Sequence, residues 1–143
     1  MADINSGVIR RLDATSADDT FPATLAETGL FADPAALTPN PGLVAYDVNL
    51  PFWSDHARKL RWFGIPDPAP TFGYDREGNW SLPEGTVWVK HFDLDLERGN
   101  PATARRVETR VLVRTATGTY GVSYKWDPSG TVATLADEAG ENL

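Results

Sequence analysis

Residues 86–96 read TVWVKHFDLDL and residues 105–115 read RRVETRVLVRT. Side chains alternate across a strand with period 2, so each stretch divides into two faces. In the first, Val87, Val89, His91, Asp93 and Asp95 form one face, and Trp88, Lys90, Phe92, Leu94 and Leu96 the other. In the second, Val107, Thr109, Val111 and Val113 make a β-branched stripe suited to a core, opposite Arg106, Glu108, Arg110, Leu112 and Arg114. The intervening Arg98-Gly99-Asn100-Pro101 carries turn residues, which predicts two long antiparallel strands.

Further strands are expected on both sides. Residues 43–50 alternate, and residues 59–65 read as a strand ended by Pro66-Asp67-Pro68-Ala69-Pro70. Residues 75–79, DREGN, sit between Tyr74 and Trp80 as a hairpin turn. Residues 120–126 follow a short Gly-containing loop, and Asp127-Pro128-Ser129-Gly130 predicts a turn before a last strand at 132–136. A short helix is expected at 23–27 with Gly29 as its stop, then a Pro-rich loop over 32–42. About seven closely spaced strands predict an all-β fold, an antiparallel sandwich or jelly roll. Residues 1–20 read as a polar N-terminal arm and residues 21–143 as one sandwich-like module.

Composition narrows the chemistry. The 143 residues are enough for one domain, and no apolar run approaches the roughly 20 residues of a membrane helix. Thirteen Lys and Arg against 20 Asp and Glu give a net charge of −7, which opposes a general nucleic-acid binder. With no cysteine, disulfides, thiol nucleophiles and covalent haem attachment are excluded. No phosphate loop, dinucleotide fingerprint or nucleophile elbow occurs.

Two clusters stand out as candidate sites. If the long strands and 120–126 are neighbours, one face gathers Trp88, Lys90, Glu108, Arg110, Tyr124 and Trp126. Rings stack on the apolar faces of sugars while charged donors and acceptors satisfy hydroxyls or a uronate. Residues 51–63, PFWSDHARKLRWF, interleave rings with cations and add Trp53 and Asp55. The plainer reading makes these charges a solvated sheet face and the rings a plug at its end. Calcium is the one metal worth weighing, at Asp93 and Asp95 beside His91 or in the Asp75, Glu77, Asn79 turn. No catalytic residue stands out, and Asp55 with Glu108 is the pair to test for glycosidase-like work.

The strings NPGLVAYDVNLPFWSD (40–55), GTVWVKHF (85–92), ETR (108–110) and YKW (124–126) support a comparison. Over roughly residues 21–136 the chain resembles a segment of large secreted bacterial proteins, notably from Planctomycetes and Verrucomicrobia. There the segment lies beside propellers similar to soluble glucose/sorbosone dehydrogenases, commonly with a c-type cytochrome segment following. The resemblance implies a secreted or periplasmic parent with flanking redox domains as partners. It carries over no catalytic residue, and any quinone or haem cofactor would belong to the neighbours. The expectation is a non-catalytic module that binds a sugar or polysaccharide. One alternative is a docking module between propeller and cytochrome; another is an enzyme with Asp55, Lys90, Glu108 and Arg110 in one pocket.

Overall fold

The structure is a computed structural model that describes residues 21–66 and 71–137, together with the backbone of two short strands, β1 (Ala2–Asp3) and β2 (Val8–Ile9), which pair antiparallel. The expected arm over the rest of 1–20 and the Pro-rich stop at 67–70 lie outside the described residues.

The centre of the fold is a six-stranded antiparallel sheet. Its strands are β5 (Leu43–Ala45), β6 (Arg58–Gly64), β7 (Val87–Asp95), β8 (Ala104–Arg114), β9 (Thr119–Trp126) and β10 (Ala133–Leu135). Their spatial order is their chain order, a meander. The two stretches that predicted the longest strands are β7 and β8, with nine and 11 residues. The turn between them is a 3-10 turn at Pro101–Thr103, capped by Asn100, whose side chain accepts from the Ala102 amide at 3.2 Å. After β9, Asp127 closes its turn by accepting the amides of Thr131 and Val132 on one oxygen.

One face of the sheet carries the core. Val87, Val89, Val111 and Val113 meet in register on β7 and β8, and Trp62, Tyr124 and Trp126 extend the layer on β6 and β9. The cover is largely irregular, with one small two-stranded sheet in it. It is the segment before β5, which supplies Leu25, Leu30 and Phe31 to the core. Phe31 meets Trp62 edge-on, with ring centroids 5.2 Å apart. Within that segment β3 (Phe31–Asp33) and β4 (Thr38–Pro39) form a small hairpin. Leu25 donates its amide to Ala133 O, and Leu135 donates to Ala23 O, so the cover is tied to the β10 edge.

Three local expectations are corrected. The helix expected at 23–27 is a single 3-10 turn, Ala26–Thr28, ended by Gly29 at φ 67°. The Thr28 hydroxyl bonds back to Leu25 O, and so short a segment cannot repay helix nucleation. The strand expected over 43–50 stops at Ala45, because the Asp47 side chain accepts its own neighbour's amide at Val48 and draws the chain away from pairing. In β8, Val107 is the extra residue of a β-bulge opposite the Phe92/Asp93 step. The bulge moves Arg106 off the face of Glu108 and Arg110 and onto the core side, where its guanidinium lies 4.7 Å from the Trp126 ring.

Candidate functional site

Among the described residues no layer of strands covers the second face of the six-stranded sheet, and the register decides what that face shows. Arg61, Lys90, Arg110 and Ser123 stand in one row across β6 to β9. Lys59, Phe92, Glu108 and Lys125 form the next row, and Phe63, Trp88, Leu112 and Gly121 the row on the other side. The face is therefore a cationic row bordered by rings. The Lys90 ammonium and the Arg110 guanidinium each lie 5.0 Å from the centroid of the buried Phe92 ring.

Two carboxylates reach this row. Arg110 donates from Nε (2.8 Å) and from Nη2 to the same Glu108 oxygen. Arg61, only 8% exposed, donates to Asp47 at 2.9 Å, while the Asp47 carboxylate is 84% exposed. Lys90 makes no ion pair among the described residues. Its pKa is lowered by partial burial first, then by the positive charges of Arg61, Lys59 and Arg110, with Glu108 opposing.

The loop between β5 and β6 flanks the same face. Tyr46 packs against Phe63, with ring centroids 5.8 Å apart, and Lys59 donates to Phe52 O. Leu50, Phe52 and Trp53 are left highly exposed, Trp53 at 75%. Asp55 and His56 follow at φ 48° and 64°, two successive non-glycine residues in the left-handed region.

No protein-family model matches the chain, and neither does any curated protein or solved structure.

Of the eight candidate binding residues, Trp88, Lys90, Glu108 and Arg110 share the uncovered face, and Trp53 and Asp55 lie in the loop beside it. Tyr124 and Trp126 do not. They are 1% and 2% exposed, on the core side, because the even-numbered residues of β9 pair with the odd-numbered residues of β8. Alignment of the even faces holds between β7 and β8 and fails at the next hairpin. Arg110 and Glu108 pair directly, and Asp55 lies in the β5–β6 loop, at φ 48°.

A buried polar chain escaped the sequence reading. The His91 ring stands 2.8 Å from Thr109 Oγ1 through Nδ1 and 3.1 Å from Asp93 through Nε2. The connectivity is that of a Thr-His-Asp triad, but His91 and Thr109 are 0% exposed. Trp126 also donates its indole N–H to the Thr109 hydroxyl. This chain joins core side chains and offers no nucleophile to solvent. The signal was present in the polar breaks that His91 and Thr109 make in two valine stripes.

Several of the oxygens weighed for calcium have protein partners. Asp93 faces His91, Asp95 lies 3.4 Å from Arg58, and one Asp75 oxygen accepts the amides of Glu77 and Gly78. Among the described residues no three His, Asp or Glu side chains gather as a metal site. An open cleft of about 540 Å³ lies beyond the bulge, lined in part by Leu96, Arg105, Arg106 and Thr131. Arg106 is committed there to Gly130 O at 2.9 Å. Among the described residues no helix is long and apolar enough to cross a membrane.

Proposed function

We propose that the chain is a non-catalytic carbohydrate-binding module that meets a polysaccharide with its uncovered sheet face. The observation that carries this reading is the neighbourhood of Trp88, Lys90, Glu108 and Arg110 on adjacent strands. Rings provide apolar platforms, and the cations and carboxylate provide donors and acceptors for hydroxyls. Trp53, projecting from the flanking loop, supplies a further platform. In a secreted or periplasmic parent protein, such a module would hold a sugar polymer near attached redox domains.

A glycan array followed by calorimetry tests the reading. Binding to a polysaccharide that weakens in Trp53→Ala and Arg110→Ala is the expected result. No binding to any neutral or acidic polysaccharide overturns it.

A second reading rests on a different observation. Leu50, Phe52 and Trp53 expose three large apolar side chains within four residues, more than a solvated loop needs. They would suit a docking contact with the flanking propeller or cytochrome. Co-purification with those domains, lost in Phe52→Ser and without affinity for glycans, would favour docking over sugar binding.

A further inference from the structure

We propose that the uncovered sheet face is selective for uronic-acid polysaccharides, whose carboxylates meet Lys90 and Arg110 beside the buried Arg61. The proposal rests on the carbohydrate-binding reading above and names the ligand class within it.

Like charges placed directly across strands destabilise a sheet. Here three cations are register partners on consecutive strands, about 4.8 Å apart from strand to strand. Lys59 and Lys125 add two further positive charges in the next row. The folded chain balances two members of the row with its own carboxylates, Asp47 on Arg61 and Glu108 on Arg110. Lys90, between them, has no ion pair among the described residues. Its ammonium is partly desolvated over Phe92 and sits in the field of its neighbours. Such an arrangement works against folding and works for an incoming anion.

The row also indicates which anion. Arg61 and Arg110 already hold carboxylates, so the face demonstrates carboxylate capture with its own side chains. Guanidinium forks suit planar carboxylates, and a lysine between them adds an adaptable point charge. The cations lie beside rings rather than along the extended basic groove that a polyphosphate needs. A polymer of sugar rings bearing separated carboxylates satisfies both parts, with rings on Trp88 and charges on the row.

Calorimetry with polygalacturonate, its methyl ester and dextran sulfate tests the proposal. The wild type, Lys90→Gln and Arg110→Gln are compared, with thermal melts confirming folding. Polygalacturonate is expected to bind, its neutral methyl ester about tenfold more weakly, and each variant about tenfold more weakly, as loss of one charged hydrogen bond implies. Arg110 is exposed, so its variant keeps the test valid if Lys90→Gln fails to fold. Equal affinity for the methyl ester overturns the uronate proposal and leaves carbohydrate binding standing. Tighter binding of dextran sulfate than of polygalacturonate overturns it as well, because charge density alone then decides. No binding to these polymers or to any array glycan overturns both readings.

Discussion

Trp126 donates its indole N–H to the hydroxyl of Thr109 at 2.9 Å, joining β9 to β8 through the buried face of the sheet. The hydroxyl in turn donates to His91 Nδ1, and the ring's Nε2–H points to Asp93. One proton arrangement satisfies every group, with a neutral imidazole. Four side chains from three strands are thereby fixed in a single register.

Thr109→Val keeps the shape of the stripe and removes the hydroxyl. Trp126 Nε1 and His91 Nδ1 then lose their partner in the core. A loss of about 2 kcal/mol is expected, from the cost of buried groups left without hydrogen bonds. Urea denaturation measures it, and an unchanged midpoint would show that the chain contributes nothing to stability.

His91 also makes stability depend on pH. Burial lowers its pKa below 6.5, with Arg106 assisting and Asp93 opposing. The folded state therefore binds a proton less readily than the unfolded chain. Its contribution is complete above pH 6.5 and is lost as pH falls from there through the lowered folded value. The urea midpoint should decline over that window, and the decline should flatten in His91→Gln.

A second, more acidic transition belongs to Asp127. The Ser129 hydroxyl and the amides of Val132, Thr131 and Ser129 hold its carboxyl at about 2. Its stabilisation is present above the ordinary carboxylate value and disappears as pH falls toward 2. Asp127→Ala should remove that part of the acid sensitivity while sparing the decline that His91 causes, as read by the unfolding midpoint against pH.

Trp53 and Trp126 should behave oppositely. Trp126→Ala empties a buried site and is expected to cost about 3–5 kcal/mol. Trp53→Ala removes an exposed ring and should change stability by less than about 0.5 kcal/mol. If the carbohydrate-binding reading holds, Trp53→Ala nevertheless weakens glycan affinity, which calorimetry separates from the melt.

Gly85 precedes β7 at φ 85°, and a Cβ there would stand 3.3 Å from Pro66 Cγ. Gly85→Ala is expected to cost about 1–2 kcal/mol, since an alanine resists left-handed backbone and has little room. A midpoint equal to wild type would show that the turn relaxes freely.

The sequence made the strands legible and left their mutual registry hidden. Period 2 and β-branched residues placed β6 to β10 within a residue or two, because each strand face records its own burial. Register is written in loops and bulges instead. The hairpin before Thr119 opposed odd residues of β8 to even residues of β9, which sent Tyr124 and Trp126 inward. The bulge at Val107 did the same to Arg106. Lys90, Glu108 and Arg110 were grouped correctly since no such irregularity separates them. The covering segment was illegible as a layer, because Leu25, Leu30 and Phe31 follow no strand or helix period.

The tie between the covering segment and β10 bears on how the chain reaches its final form. Within the six-stranded sheet, each pairing joins strands adjacent in sequence, so loop closure is cheap and zippering is rapid. The bonds from Leu25 to Ala133 and from Leu135 to Ala23 span more than 100 residues. They act as a latch that cannot fasten until β10 has been made. During synthesis Leu25, Leu30 and Phe31 emerge more than 100 residues before the edge to which their segment is bonded.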